Sequence, residues 1–311
     1  MSSHRHHSRP APDPQAAADF RSWLEAQRQR VDAALDRWLP SENEPPEIIH
    51  RAMRYSVFAG GKRIRPILCL AAADAVRSHA PGVMEAACAL EMIHTYSLIH
   101  DDLPALDNDD FRRGRPTCHK QFGEAMAILA GDALLTLAFH VLARAELPDS
   151  NTRIRLVEEL STAAGTPGGM IAGQVEDLQG EGKTPTPELL ESIHRAKTGA
   201  LLTASVRMGA ICAGASDQEL AALTRYGRHV GLAFQIVDDI LDVEQSSETL
   251  GKTAGKDARQ KKITFPAVYG LPASHRMAER EISAALQALE GFQERARRLR
   301  ELAELILHRT Q

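Results

Sequence analysis

The sequence has few residues of the types that characterise disulfide-linked, zinc-binding or β-rich proteins. Aromatic residues make up only 5% of the 311 positions, and the four cysteines are widely spaced without a CxxC pair. A disulfide framework and a zinc site are therefore not indicated, and we expect a reducing, cytoplasmic location. Positive charge is not in excess, because 37 Lys and Arg stand against 41 Asp and Glu. The net charge of -4 favours neither nucleic acid nor an anionic membrane as a partner.

Long uninterrupted apolar segments are also missing. The segment most similar to a membrane span, residues 125–145, contains Asp132 and His140, and a charge near the middle of a bilayer is costly. We therefore predict a buried helix there and no membrane partner. The N-terminal residues 1–15 are rich in His, Ser and Pro and lack the apolar stretch of a secretion signal. They are predicted to form a disordered polar tail.

Residues 16–311 are predicted to form one all-α domain. The chain is 43% hydrophobic, which is enough for a sizeable core, and its apolar residues recur at three- and four-residue spacing instead of alternating. We predict no strand, and the expected helices end at clusters of Gly and Pro. Two of them, at 119–145 and 187–213, are apolar on nearly all sides, so other helices should surround them. The prediction is a single large helical bundle.

The first acidic cluster places five carboxylates within residues 101–110, at the end of an apolar predicted helix. A helix C-terminus is the negative end of the helix dipole, so these carboxylates need a compensating cation. Mg²⁺ prefers carboxylate oxygens and often bridges them to substrate phosphates. In an unbroken helix Asp107 would lie about 240° around the axis from Asp101, but a kink at Pro104 would bring both to one ion. The alternative is a solvated acidic loop.

The second acidic cluster lies inside an apolar predicted helix. Asp238 and Asp242 are four residues apart and share one face, where like charges destabilise a helix and are costly to bury. Either cluster alone fits a metal site or an acidic surface equally well. The two together favour magnesium. An EF-hand is excluded because neither cluster has its glycine and closing glutamate.

Basic residues suited to a phosphate ligand occur in four places. The Gly-rich turn at 60–66 leads into a predicted helix, an arrangement that binds anions. Further cations follow the first acidic cluster, lie in the helix at 187–213, and follow the second cluster at Lys252. Taken singly, each has an ordinary interpretation as a solvated surface charge. His94 lies seven residues before Asp101 and therefore on nearly the same helix face, which groups the two in one site.

Five motifs occur in an order that resembles the trans-prenyl diphosphate synthases, most closely the bacterial farnesyl diphosphate synthases. They are GGKRIRP, EMIHTYSLIHDDLPALDNDDFRRGRPTCH, KTGALL, FQIVDDILD and GKTAGKD. The resemblance spans residues 16–311. It implies an isoprenoid-synthase bundle around a deep central cavity, and a homodimer. It also implies Mg²⁺-dependent condensation of isopentenyl diphosphate with dimethylallyl and geranyl diphosphate, which gives farnesyl diphosphate and diphosphate.

The resemblance also implies a role for individual residues. The Mg²⁺ ligands would be Asp101, Asp102, Asp107 and Asp238. The groups that bind the allylic diphosphate would be Arg112, Lys197 and Lys252. Isopentenyl diphosphate would be held by Lys62, Arg65, His94 and Arg113, beside the substrate-binding Gly61. Thr198 and Gln235 would lie near the reacting carbons and, with Asp101, Asp107, Lys197 and Asp238, would be catalytic. Product length would be set by Tyr96 and Ser97.

Other functions remain open at this stage. A geranylgeranyl or geranyl diphosphate synthase would have the same motifs with a different cavity depth. A non-catalytic partner subunit would keep the fold but lose motif residues, and none is lost here. A class I terpene cyclase also uses an aspartate-rich motif, but it pairs this with an Asn/Ser/Glu motif and lacks the groups for isopentenyl diphosphate. The second aspartate motif and GGKRIRP argue against it.

Overall fold

The computed structural model describes residues 14–184, 186–248 and 263–309, and these are almost entirely helical. The N-terminal helices are α1 (Pro14–Trp38), α2 (Glu47–Val57), α3 (Ile64–Val76), α4 (Val83–Asp101), α5 (Cys118–Phe122), α6 (Glu124–Arg144) and α7 (Ser150–Ala164). They are followed by α8 (Met170–Gly180), α9 (Pro187–His194), a π-helical turn (Arg195–Gly199), α10 (Ala200–Cys212), α11 (Asp217–Glu248), α12 (Phe265–Tyr269), α13 (Leu271–Ala288), a 3-10 segment (Glu290–Ala296) and α14 (Arg297–Leu307). The all-α prediction is confirmed.

Helices α3, α4 and α10 form the centre of the bundle. Most residues of all three are buried, and many are Ala or Gly, which lets neighbouring backbones approach closely. Helix α4 packs against α6 and α3, while α10 packs against α3 and α11. The long helix α11 runs beside α13. The C-terminal part of α4 and the middle of α11, which carry the two acidic clusters, are thereby held in a rigid frame.

A buried ion pair fixes the turn that precedes α3. The Arg63 guanidinium donates to Asp32 at 2.7 Å and to Glu91 at 2.8 Å, and it also donates to the carbonyl of Val57. The side chains of Arg63 and Glu91 are only 2% and 4% exposed. Breaking a buried pair of this kind leaves an uncompensated charge, so Arg63 has a structural part in the GGKRIRP motif.

The secondary structure differs from the sequence predictions at two places within residues 111–124. Residues 111–116 form a small antiparallel hairpin of strands β1 (Phe111–Arg112) and β2 (Arg115–Pro116), whose two-residue strands are too short for periodicity to indicate. Gly123 separates α5 from α6, which were predicted as one helix. The predicted tail, residues 1–15, lies outside the described residues except for Pro14 and Gln15, which begin α1.

Helix α6 is not surrounded by other helices, contrary to the prediction from its composition. One face packs into the main core, but Ile128 and Leu129 are 45% and 49% exposed. An apolar groove of about 820 Å³ lies between this face and α2. By length and hydropathy α6 is the one helix in the described ranges able to span a membrane, a test that core helices of soluble proteins also pass.

Candidate active site

A cavity of about 750 Å³ opens between α4, α8, the π-helical turn and α11. Polar and charged side chains line its mouth, and apolar side chains of α8 line one wall. The predicted site residues that face this cavity are Arg65, His94, Tyr96, Ser97, Asp101, Asp107, Arg112, Arg113, Lys197, Thr198, Gln235 and Asp238. Gly61, Lys62 and Asp102 are not among its lining residues, and Lys252 lies outside the described residues.

The first acidic cluster forms a compact loop where α4 ends. The helix stops at Asp101 instead of kinking at Pro104, and the backbone N–H of Asp107 donates to the carbonyl of Asp101 at 2.8 Å. Asn108 adopts a left-handed conformation with φ 50°, which turns the chain back. Asp107 is therefore placed beside Asp101 by a loop, and the predicted kink is replaced by a helix end.

Asp102 differs from its neighbour because it points away from the cavity. Its side chain is 4% exposed and forms an ion pair with Arg112, at 2.6 Å between Oδ1 and Nη2. Burial raises the pKa of Asp102, and the hydrogen bonds from Arg112 oppose this shift. The structure thus does not bring Asp102 to the proposed metal ligands. Its observed contact orients the guanidinium of Arg112, which does face the cavity.

The basic side of the cavity joins the GGKRIRP turn to the hairpin that follows the acidic loop. The Arg113 guanidinium donates to the carbonyl of Gly60. A Cβ atom at Gly61 would lie 2.6 Å from Nη1 of Arg113, and Gly61 has φ 131°, so only glycine fits there. Gly61 therefore acts by admitting Arg113 to the turn. Lys62 is exposed beside it and interacts electrostatically with Asp238 and Arg309.

Arg65 and His94 form the floor of this basic region. The Nε atom of Arg65 is buried without a hydrogen-bond partner, and burial lowers the pKa of Arg65 to about 10. The guanidinium is still charged at neutral pH and has an unused donor, which suits an anionic ligand. Burial, together with Arg65 and Arg113, holds the pKa of His94 well below its usual value. His94 is therefore a neutral hydrogen-bonding group.

The π-helical turn presents Lys197 and Thr198 to the cavity. Nζ of Lys197 donates to Asp177 of α8 at 2.7 Å, and the Thr198 hydroxyl donates to Oε1 of Gln235 on α11 at 2.7 Å. Such turns occur frequently at functional sites because they shift side chains out of the regular helical repeat. Helix α8 can approach this turn because it has glycine at position 173, where a Cβ atom would lie 2.1 Å from the backbone N of Lys197.

The second acidic cluster divides into two environments. Asp238 is 58% exposed at the cavity mouth and forms an ion pair with Arg309 at 3.0 Å. Arg309 also donates to the carbonyl of Phe234 and lies 3.9 Å above that ring. Asp239, the next residue, is 2% exposed and accepts hydrogen bonds from Gln235 and from the backbone of Phe265.

Sequence reasoning missed several polar residues of this site. Gln174, Asp177, His194 and Asp239 all line the cavity, and Arg309 contacts Asp238 from the C-terminal end of the chain. Gln174 and Asp177 are three residues apart on one helix face, the single signal that the sequence offers for them. His194 and Arg309 are isolated in sequence, so only the fold brings them to the site.

The apolar end of the cavity lies beneath Asp101. Tyr96 is 5% exposed and its hydroxyl has no hydrogen-bond partner, so the ring acts as an apolar wall. The edge of this ring meets His100, with centroids 5.7 Å apart and planes at 76°. Ser97 lies beside it and donates to the carbonyl of His94. Ile171, Val175 and Leu178 of α8 continue the apolar wall.

The carboxylates at the mouth have the chemistry that a hard divalent ion requires. Asp107 lies beside Asp101, the last residue of α4, and Asp238 faces the same cavity from α11. Within the described residues no three His, Cys, Asp or Glu side chains are grouped closely enough to hold an ion unaided. The donor set therefore fits Mg²⁺ only when ligand phosphate oxygens complete the coordination.

A family model described as polyprenyl synthetase matches residues 46–305, and the chain belongs to this family. It is a prenyltransferase.

Relatives named for different products are similarly close. A farnesyl diphosphate synthase of Geobacillus stearothermophilus is 47% identical over 94% of this chain and 99% of its own length. The heterodimeric geranylgeranyl pyrophosphate synthase large subunit 1 of Arabidopsis thaliana, a chloroplastic protein, is 51% identical over 88% of this chain and 75% of its own length. The structure of an FPP/GFPP synthase from Zymomonas mobilis superposes with a TM-score of 0.83 and 35% identity, over 94% and 99% of the chains.

The contact at Gly173 leads to the first prediction. We expect Gly173→Ala to destabilise the protein by about 1–3 kcal/mol, because the new methyl group overlaps the backbone of the π-helical turn. Urea denaturation measures the loss in the free energy of unfolding. Gly291→Ala is the matched control, since a Cβ atom there meets nothing within 4 Å. Equal stability of the two variants would contradict the close approach of α8 to Lys197.

Proposed function

We propose that the chain condenses isopentenyl diphosphate with dimethylallyl and then geranyl diphosphate, in a head-to-tail (1'-4) reaction that gives farnesyl diphosphate and diphosphate. The observation that carries this proposal is the pairing of two separate anion-binding regions in one cavity. One region combines the carboxylates of Asp101, Asp107 and Asp238 with the cations of Arg112 and Lys197. The other is formed by the basic residues around the Gly-rich turn. Two diphosphate substrates require two such regions.

The basic region suits isopentenyl diphosphate. Arg65 has a buried donor without a partner, and Arg113 lies against the turn at Gly60 and Gly61. Neutral His94 can donate to a phosphate oxygen without adding charge. Lys62 is exposed and interacts electrostatically with Asp238, so it is accessible to a ligand entering from solvent. These groups neutralise a diphosphate that carries no metal of its own.

The carboxylate region suits the allylic diphosphate. Mg²⁺ held by Asp101, Asp107 and Asp238 would neutralise the leaving diphosphate and so lower the barrier to its departure. Arg112 and Lys197 would donate to the same diphosphate, and Lys252 is proposed to join them. Asp102 keeps the guanidinium of Arg112 in place. The protein supplies no nucleophile, because the alkene of isopentenyl diphosphate attacks the allylic carbon.

The other role proposed for the protein is to stabilise positive charge on the allylic carbon and to exclude water. Thr198 and Gln235 line the cavity beside Lys197, and we propose that their oxygens offer negative dipoles to that carbon. The apolar side chains of α8 and Tyr96 cover the growing hydrocarbon. After the new bond forms, the released diphosphate is the nearest base for the proton lost from the condensed product.

Incubation with dimethylallyl and isopentenyl diphosphates plus Mg²⁺ tests this function. We expect elongation to farnesyl diphosphate, and Asp101→Ala or Asp238→Ala should lower turnover by at least about a hundredfold because each removes a proposed metal ligand. Asp110→Ala is the control from the same acidic segment, since Asp110 is exposed and pairs with Lys120 at 2.8 Å. A cyclic hydrocarbon product would indicate a terpene cyclase, and absence of turnover a partner subunit.

Farnesyl diphosphate is proposed as the product because Tyr96 closes the cavity below Asp101. Tyr96→Ala should shift the product towards geranylgeranyl diphosphate, since removal of the ring leaves room for a further isoprene unit. Chromatography of the dephosphorylated products measures the distribution. Tyr96→Phe keeps the volume, removes only a hydroxyl that has no partner, and should leave the distribution unchanged. An active Tyr96→Ala enzyme with an unchanged product would show that another residue limits the chain.

We further propose a homodimer in which the exposed face of α6 and the groove beside α2 are covered by the second copy. Ile48 and Leu129 line this groove and Ile128 precedes Leu129 on α6, and each of the three is more than two-fifths exposed. Sedimentation should give the mass of two chains, and Leu129→Arg should shift it towards one. Val243→Arg, a change at a similarly exposed apolar residue on α11, should leave the dimer intact.

A cytoplasmic location is proposed from the cysteines. All four are buried and unpaired, as expected for a protein kept in a reducing compartment. No membrane or nucleic-acid partner is proposed.

A further inference from the structure

Both carboxylate oxygens of Asp239 accept hydrogen bonds inside the protein. Oδ1 accepts from Nε2 of Gln235 at 2.8 Å, and Oδ2 accepts from the backbone N–H of Phe265 at 2.9 Å. His194 lies beside it, with Nε2 3.6 Å from Oδ2, and burial lowers the pKa of His194 to about 4. The imidazole is therefore neutral beside Asp239.

These contacts determine how the Gln235 amide is oriented. A carboxylate only accepts hydrogen bonds, so Gln235 must turn its NH₂ group towards Asp239 and its carbonyl oxygen in the opposite direction. That oxygen accepts the hydroxyl proton of Thr198, at 2.7 Å. The one proton that Thr198 can donate is thereby used. Only the oxygen lone pairs of Thr198 remain for a ligand in the cavity.

We propose that Asp239 is a positioning residue that fixes the direction of the hydrogen-bond chain through Gln235 to Thr198, so that Thr198 presents lone pairs to a cationic reaction centre. The inference rests on the proposed function, which places positive charge beside Thr198. Oxygen lone pairs stabilise such a charge, whereas a hydroxyl proton pointing the same way would oppose it. Asp239 thus acts on the substrate through Gln235 and Thr198, whereas its neighbour Asp238 lies at the cavity mouth.

The direction of the hydrogen-bond chain from Asp239 through Gln235 to Thr198 can be reversed and then restored. In Asp239→Asn, the backbone N–H of Phe265 still needs an acceptor, so the new amide turns its oxygen to Phe265 and its NH₂ group to Gln235. Gln235 must then turn over and donate to Thr198, which directs the Thr198 proton into the cavity. Adding Gln235→Glu restores the original direction, because the introduced carboxylate accepts from both the new amide and Thr198. The double variant also conserves the net charge.

Calorimetry with two allylic diphosphate analogues provides the readout. One analogue carries an ammonium group where positive charge develops, and the other is its neutral carbon isostere. The ratio of their affinities reports cation stabilisation, since a loss of diphosphate binding affects both equally. We expect Asp239→Asn to lower this ratio by about tenfold or more, and the double variant to recover most of it. The value of kcat should change in parallel, with a smaller change in KM.

Thr198→Val provides a second, independent variant because it removes the hydroxyl itself. Thr198→Val should lower the affinity ratio on its own. Asp239→Asn should cause no further loss when it is added to Thr198→Val, since both changes act on the same hydrogen-bond chain. An unchanged ratio in Asp239→Asn, or a double variant with Gln235→Glu no better than the single variant, would overturn the inference. Elongation by the wild-type chain is scored separately, so that a failure of the proposed function is recognised as such.

Discussion

Opposite charges hold one another at the mouth of the cavity, and the geometry of the site depends on these pairs. Arg112 is held by Asp102, Lys197 by Asp177, and Arg309 by Asp238, each at 3.0 Å or less. Partly buried charges are costly without such partners, so each cation is kept in one orientation before any ligand arrives. In the proposed function, Arg112 and Lys197 would therefore need little reorientation to bind a diphosphate.

The sequence was sufficient for the fold class because helical periodicity and Gly or Pro breaks are local signals. It was insufficient where the outcome depends on tertiary contacts. The hairpin at 111–116 is too short to show a period, and the π-helical turn has the composition of an ordinary helix. The exposed face of α6 was misjudged for a related reason. An apolar helix surface has the same composition whether another element of the chain or a second molecule covers it.

Most of the site residues predicted from the motifs face the cavity, since the motif spacing places charged groups at helix ends and on shared faces. Spacing alone did not separate Asp101 from Asp102, because the direction of each side chain depends on where α4 ends and on the position of Arg112. The same holds for Asp238 and Asp239, neighbours in sequence with 58% and 2% exposed side chains. His194 gave no sequence signal because its neighbour Asp239 lies in another helix. A motif therefore shows where charge is concentrated, and only the fold shows which charges a substrate can reach.

Overall similarity to relatives is a poor guide to product length for a physical reason. This chain is about as similar to a protein named for geranylgeranyl diphosphate synthesis as to one named for farnesyl diphosphate synthesis. In the proposed reaction the chemistry at the mouth is the same for every elongation step, so the residues proposed to bind diphosphate and metal carry no information on length. In the proposed function, length is limited by the few side chains that a growing hydrocarbon meets below Asp101. The lack of a partner for the Tyr96 hydroxyl indicates that volume, not hydrogen bonding, is what this position contributes.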